Sequence, residues 1–296
     1  MIVSSTIKEE TTMNSFSEKC VLNNGVQIPC IGYGTYLTSN EEVGKAVKDA
    51  VEIGYRHIDT ATAYENEQGV GAGIRDCGVA REDLFITGKV WNTDRGYDKT
   101  LRAFDQTLEK LGLTYLDLYL IHYPEPARDG DDSWKKVNLE TWRAMEQLVK
   151  EGKIRALGVS NFLPHHLEPL MQAAEIQPAV NQIEFHPGYY EHQKEVLEFC
   201  QKHGVLVEAW GPLGQGKLFQ HSMLTEIAAH HNKSVSQVCI RWCMQLGVLP
   251  LPKSVSRERM LANTEVFDFT LSDEEMRRIC GMEFIGSGLD PDHLPF

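Results

Sequence analysis

The sequence predicts an α/β protein built as one (β/α)8 TIM barrel, and three observations carry that prediction. Eight short apolar runs alternate with helix-period stretches at a mean of about one βα unit per 30 residues, the pattern of a parallel sheet. No Pro/Gly/Ser-rich linker divides the 296 residues, whereas a doubly wound sheet of this size would more often split into two lobes. The length also suits a closed barrel, which typically takes about 250 residues.

Taken in chain order, residues 1–19 have neither an apolar signal core nor an Arg-rich amphipathic pattern, and they are expected to form a disordered leader. A single barrel domain is expected over residues 20–296. It opens with CVLNNGVQIP, two short apolar arms around Asn23-Asn24-Gly25, which predicts a β-hairpin plugging the bottom of the barrel. The candidate strands are residues 28–35, 57–61, 84–91, 116–124, 155–161, 178–185, 205–212 and 248–254. Stretches such as EEVGKAVKDAVEIG, KTLRAFDQTLEKLG and LETWRAMEQLVKEG carry the helical period between them. Gly54, Gly112, Gly152 and Gly204 stand where helices should stop. Ser234 to Gln237 and Ser272 to Glu275 are capping boxes that start two late helices.

Composition narrows the function. With 42% hydrophobic and 24% charged residues the chain is an ordinary globular one, and a net charge of −13 argues against nucleic acid or an anionic membrane as partner. No run approaches the roughly 18 apolar residues of a membrane helix. The seven cysteines form no C-x-x-C pair and read as small buried thiols, so a cytoplasmic protein is expected, with a monomer as the default.

In a barrel of this kind the site forms at the C-terminal ends of the strands. Asp59, Lys89, His122, Ser160-Asn161, Asn181-Gln182, Trp210 and Lys253-Ser254 all stand on or near those ends, and Tyr64 lies in the loop after strand two. Any one of them alone has a bland explanation, because a lone Asp is usually a helix cap and a lone His a satisfied core group. The barrel, however, aims the whole set at one rim. Lys89 is the sharpest, because a lysine in a buried strand cannot stay charged unpaired. Asp59 is placed to pair with it, and the pair is expected to lower the pKa of Tyr64 and make it a general acid. His122 adds a hydrogen bond to an oxygen gaining negative charge. Protonation of such an oxygen is what carbonyl reduction needs. Trp210 offers a face for a nicotinamide, and Ser160, Asn161 and Gln182 offer hydrogen bonds to its carboxamide. Lys253, Ser254, Arg257 and Arg259 form a basic cluster suited to an adenosine phosphate.

Several motifs are decoys. Residues 211–217, GPLGQGK, begin like a P-loop, but Leu218 replaces the required Ser/Thr. Gly69, Gly71 and Gly73 miss the dinucleotide fingerprint and are expected to permit close helix packing. Tyr190 and Lys194 match a Y-x-x-x-K spacing by chance. The paired histidines His165-His166 and His230-His231 lie in helical stretches without an H-E-x-x-H, so no metal is expected.

GYRHIDTATAYENE (54–67), LIHYP (120–124), GVSNF (158–162), NQIEFHP (181–187) and LPKSVSRERMLAN (251–263) together resemble the aldo-keto reductase family. The likeness runs from about Cys20 to the C-terminus, and the short tail resembles the bacterial-type branch that includes 2,5-diketogluconate and prostaglandin-F-type reductases. The resemblance implies a (β/α)8 barrel reducing aldehydes and ketones with NADPH. It places the catalytic tetrad on Asp59, Tyr64, Lys89 and His122, with Tyr64 as proton donor. It puts nicotinamide contacts on Ser160, Asn161, Gln182 and Trp210, 2′-phosphate contacts on Lys253, Ser254 and Arg259, and an adenine contact on Asn263. Gly34, Thr35, Tyr36, Leu213 and Val255 complete the candidate cofactor contacts. Tyr36, Trp91 and Tyr123 are expected to line an aromatic pocket for a small carbonyl substrate. Trp210, Tyr36, Tyr123 and Ala262 depart from the residues many members carry at those places. The alternative is a redox-sensing subunit that keeps the cofactor pocket but turns over little.

Overall fold

The computed structural model describes residues 13–124 and 132–293. Two short antiparallel strands, β1 (Lys19–Val21) and β2 (Gln27–Pro29), form the expected hairpin. Asn23 Nδ2 donates to the carbonyl of Pro178 at 2.9 Å and Asn24 Nδ2 to that of Arg155 at 3.1 Å. Both acceptors lie at the entering ends of barrel strands, so the hairpin does close the bottom.

Eight parallel strands follow: β3 (Tyr33–Gly34), β4 (His57–Asp59), β5 (Phe85–Val90), β6 (Leu116–Ile121), β7 (Ile154–Ser160), β8 (Val180–Glu184), β9 (Leu206–Trp210) and β10 (Leu249–Leu251). They pair in sequence order from β3 to β10. Gly32 N–H donates to the Pro250 carbonyl at 3.0 Å and Gly34 N–H to the Pro252 carbonyl at 3.1 Å, which joins the two outer strands. The first predicted strand, 28–35, is in fact two pieces, because β2 belongs to the hairpin and the chain bends before β3. A Cβ on Gly32 would sit 2.4 Å from Leu251 Cδ2 and 2.6 Å from His57 Nδ1, so only glycine makes that bend.

The helices α1 (Asn40–Ile53), α2 (Glu67–Asp76), α3 (Tyr97–Leu111), α4 (Ser133–Lys150), α5 (Pro164–Ala173) and α6 (Tyr190–Lys202) follow β3 to β8 in turn. After β9 come α7 (Ser222–His230) and α8 (Val235–Gln245), and after β10 come α9 (Arg257–Ala262) and α10 (Asp273–Cys280). The capping boxes of α8 and α10 form as predicted, each satisfying backbone donors at the helix start. The glycines of α2 are packing devices. A Cβ on Gly69 would meet the Asn40 carbonyl oxygen at 2.1 Å, and one on Gly71 the Leu111 carbonyl oxygen at 2.3 Å, so α2 touches both neighbouring helices backbone to backbone.

The expected leader needs correction. Residues 1–12 lie outside the described residues, but Met13 is buried and its carbonyl accepts from Arg241, while the Phe16 ring packs edge-on to Tyr55 at 5.3 Å. The chain therefore joins the core before residue 20. Cys20, Cys30, Cys200 and Cys239 are buried, and burial pushes their thiols up to about 11 or 12, which leaves them inert.

Candidate active site

Strand alternation points His57 and Asp59 of β4, and Thr87 and Lys89 of β5, into the barrel, where all four are buried. Lys89 Nζ uses its three hydrogens on Asp59 Oδ1 at 2.6 Å, the Thr60 carbonyl at 3.2 Å and Tyr64 Oη at 3.0 Å. Burial opposes the ammonium, but Asp59 and Tyr64 more than offset it and hold Lys89 above the ordinary lysine range. The predicted ion pair is therefore present. Because Tyr64 Oη accepts from Lys89, its own hydrogen is left for the open side of the site.

One expectation fails here. The Tyr64 phenol is not made more acidic: desolvation pushes it up to about 12, and the Lys89 charge counters only part of that rise. The negative Asp59 adds to it. Tyr64 therefore stays a phenol throughout the physiological range, which is the state a proton donor requires.

Tyr64 sits on a single 3-10 turn, Thr62–Tyr64, followed by Glu65 in the left-handed region at φ 56°. That loop is fixed by Asn66, whose Nδ2 donates to the carbonyls of Thr35 and Thr38 at 2.9 Å each, and by the Thr62 hydroxyl on the Lys89 carbonyl at 3.2 Å. The His122 ring lies edge-on to Tyr64 at 5.7 Å and to Trp91 at 5.0 Å. Burial and the Lys89 charge hold its pKa well below the usual histidine value, so the ring is neutral and carries one N–H donor.

The strand-end polar residues are tied into one network. Ser160 donates to the Gln182 carbonyl at 2.8 Å, and Asn161 Nδ2 donates to the His122 carbonyl at 2.9 Å and to Ser160 Oγ at 3.0 Å. Asn161 Oδ1 accepts from Trp210 Nε1 at 2.8 Å, which fixes the indole. Gln182 Nε2 donates to Asp59 Oδ2 at 2.8 Å and to Glu208 Oε2 at 2.9 Å. With these hydrogens committed, what Ser160, Asn161 and Gln182 can still offer a ligand is acceptor oxygen. Acceptors beside an aromatic face suit a carboxamide NH2, so the residues present fit a nicotinamide.

Other predicted residues are placed less simply. Thr35 is buried and donates its hydroxyl to the Asp59 carbonyl at 2.9 Å, and Gly34 pairs with Asp59 across β3 and β4, so both shape the site from behind. Lys253 Nζ donates to the Leu37 carbonyl at 3.1 Å. Arg257 leaves the predicted basic cluster, since its guanidinium pairs with Asp49 at 3.5 Å and Glu52 at 3.0 Å on α1. Arg259 and Val255 are exposed, Ser254 and Leu213 half-buried, and Asn263 buried. Tyr36, 51% exposed, lies 5.0 Å from the Tyr64 ring, and Tyr123 stacks on His122 at 5.4 Å. Tyr36, Trp91, His122 and Tyr123 thus form a run of ring contacts that includes Tyr64.

Sequence reasoning missed three features. The tail is strapped beside the strand ends: Lys217 donates to the Gly286 carbonyl at 2.9 Å, Ser287 N–H to Glu184 Oε1 at 2.9 Å, and Asp292 accepts from His166 Nε2 at 2.8 Å. Each histidine pair also meets one carboxylate, His165-His166 on Asp292 and His230-His231 on Glu275. His166 Nδ1 already accepts the Leu163 N–H, so the proton of its neutral ring is on Nε2 and the contact is a hydrogen bond. Third, Glu208 was passed over, although a Glu inside the apolar run VLVEAW is the same signal that singled out Lys89.

Comparison with known proteins agrees with this geometry. The profile described as the Aldo/keto reductase family matches residues 30–283. The chain is 51% identical over 286 residues to glyoxal reductase of Bacillus subtilis (strain 168), covering 95% of this chain and 99% of that protein. Its structure resembles that of a variant of Gox0644 in complex with NADPH, with a TM-score of 0.86, 38% identity and coverage of 95% and 99% of the two chains. It also resembles an aldo-keto reductase of Bombyx mori in complex with NADP, with a TM-score of 0.84, 36% identity and coverage of 93% and 95%.

Proposed function

The chain belongs to the aldo/keto reductase family, and from that premise we propose that Tyr64 donates the proton, with Lys89, Asp59 and His122 in support, while this NADPH-dependent enzyme reduces aldehydes and ketones. One observation carries the assignment: Tyr64 Oη accepts from Lys89 Nζ at 3.0 Å while Lys89 is anchored on Asp59 at 2.6 Å.

When bound, NADPH supplies a hydride to the carbonyl carbon. As the C=O π bond opens, its electron pair moves to oxygen, which takes the proton of Tyr64 Oη. The tyrosinate left behind is met by the Lys89 ammonium, which already touches that oxygen, and solvent then restores the phenol proton. His122, neutral, donates an N–H hydrogen bond to the same substrate oxygen. Trp210, held by Asn161, would give the flat face for the nicotinamide, and the oxygens of Gln182, Asn161 and Ser160 would be the acceptors available to the two hydrogens of its carboxamide.

Tyr36, Trp91 and Tyr123 bring no charge to the pocket, which favours small, uncharged carbonyl compounds. The 51% identity to a glyoxal reductase makes α-dicarbonyls the first class to try. That relative is named as a reductase, which favours turnover over the sensing-subunit alternative. All tetrad members come from one chain, so a monomer suffices, and unpaired cysteines fit a reducing cytoplasm. No helix among the described residues is long and apolar enough to cross a membrane.

The test is loss of NADPH absorbance against aldehydes, α-dicarbonyls and keto-sugars, with NADH in parallel. Fast consumption supports a reductase; tight NADPH binding without turnover restores the sensing subunit. Cofactor choice is assigned to Lys253 and Arg259, since Arg257 is engaged with α1. Replacing both with neutral residues should reduce the preference for NADPH over NADH at least about tenfold, the worth of one lost charged hydrogen bond. An unchanged preference in binding titrations would put the phosphate elsewhere.

A further inference from the structure

Beneath the tetrad the barrel interior holds a carboxyl group that the reaction does not use. Glu208 on β9 has no exposed surface, and its register neighbour on β8 is Gln182. Gln182 Nε2 carries two hydrogens, and both have carboxyl oxygens as acceptors: Asp59 Oδ2 at 2.8 Å and Glu208 Oε2 at 2.9 Å. Turning the amide over would aim its oxygen at the Asp59 carboxylate. The chain Lys89–Asp59–Gln182–Glu208 thus runs across the barrel from β5 and β4 to β8 and β9.

The groups facing Glu208 come from several elements. His57 Nε2 on β4 is 3.9 Å from Oε1 and is itself bonded to Thr87 Oγ1 on β5 at 2.9 Å. Burial and the Lys89 charge push His57 down to about 3, so it brings no charge. The charges of Asp59 and Lys89 also reach Glu208, and Glu208 in turn acts on the Cys20 thiol of β1. Burial and the negative Asp59 push Glu208 up to about 8, making it a neutral acid at pH 7 whose Oε2 still accepts.

We infer that Glu208 is a positioning residue: acting through Gln182, it locks that amide with nitrogen on Asp59 and oxygen left for the cofactor. This rests on the functional reading above, which puts the nicotinamide beside Gln182. An apolar residue at 208 would strip one Gln182 hydrogen of its acceptor inside the barrel. The amide would then be held through its other hydrogen, on Asp59 Oδ2, and could tilt away from the place where its oxygen serves the cofactor.

The experiment compares Glu208→Leu and Glu208→Gln with the wild type, measuring NADPH Kd by quenching of protein fluorescence and separating kcat from KM. Glu208→Gln keeps an acceptor oxygen at that place and is expected to bind NADPH as the wild type does. Glu208→Leu is expected to weaken NADPH binding about tenfold. Should Glu208→Leu fail to fold, Glu208→Met takes its place. Folded Leu or Met variants with wild-type NADPH affinity would overturn the proposal, as would a Glu208→Gln variant as weak as they are. Wild-type protein that binds no NADPH would instead overturn the cofactor reading itself, so the two failures are distinct.

Discussion

Tyr64→Phe is expected to lose at least about 100-fold in kcat while its NADPH Kd stays close to that of the wild type, because general acid catalysis typically contributes 10²–10⁴-fold. The substitution removes one oxygen. The ring that lies 5.0 Å from Tyr36 and 5.7 Å from His122 keeps its place, and Lys89 keeps its bonds to Asp59 and Thr60. What disappears is the one hydroxyl among the described residues that both accepts from Lys89 Nζ and keeps a hydrogen for the substrate. The raised pKa of Tyr64, about 12, strengthens the expectation, since the phenol remains protonated at any pH the assay uses. An alkoxide is more basic than a phenolate, so the proton still moves downhill. Stopped-flow kinetics at saturating NADPH, with fluorescence titration of the cofactor, separates the two quantities. A mutant retaining more than about a tenth of the wild-type rate would sink the assignment. Equal loss of cofactor affinity would make Tyr64 a binding residue instead.

Much of this was legible in the sequence for a simple reason. A charged residue inside an apolar strand must be paired, and a parallel barrel brings strand ends to one rim, so Lys89, Asp59 and Tyr64 could be read as one group. The same rule also finds Asp117 in LDLYLI and Glu208 in VLVEAW, and it cannot tell the three apart. Asp117 proves to be structural: it is buried, pairs with Arg81 and Arg155 at 2.7 Å each, and accepts the Ile86 N–H at 2.8 Å. Those partners lie at the entering ends of the strands, a location that spacing alone does not give. Glu208 depends on Gln182, which in turn reaches Asp59 across 123 residues of sequence, and no local pattern encodes a bond across the barrel. The direction of the Tyr64 shift was misjudged for a related reason. The sequence displayed the cation beside it but not the burial, and burial is the larger effect. The hairpin and helix stops were legible because turn and cap chemistry is local; the split of strand 28–35 was not, since it follows from Gly32 touching Leu251 and His57.

Lys89→Met should cost both stability and turnover, and a second substitution should separate its structural cost from its catalytic one. Lys89 has no exposed surface, and Met has similar length without the charge. The mutation leaves the Asp59 carboxylate 3% exposed and, among the described residues, held on its side chain by Gln182 alone. Breaking a buried pair from one side costs about 3–5 kcal/mol, because the remaining charge is uncompensated. Urea unfolding at pH 7 should show a loss of that size together with loss of turnover. Adding Asp59→Asn removes the stranded charge, while the amide keeps an oxygen for Gln182, so the double variant should regain most of the lost stability. Turnover should not return with it: without an ammonium on Tyr64 Oη, the developing tyrosinate has no counter-charge in a site where desolvation already resists it. A Lys89→Met variant as stable as the wild type would mean that the pair's desolvation and attraction had cancelled even with one partner gone. A double variant recovering catalysis would show that Tyr64 gives up its proton without Lys89, and the 3.0 Å contact would then be packing rather than chemistry.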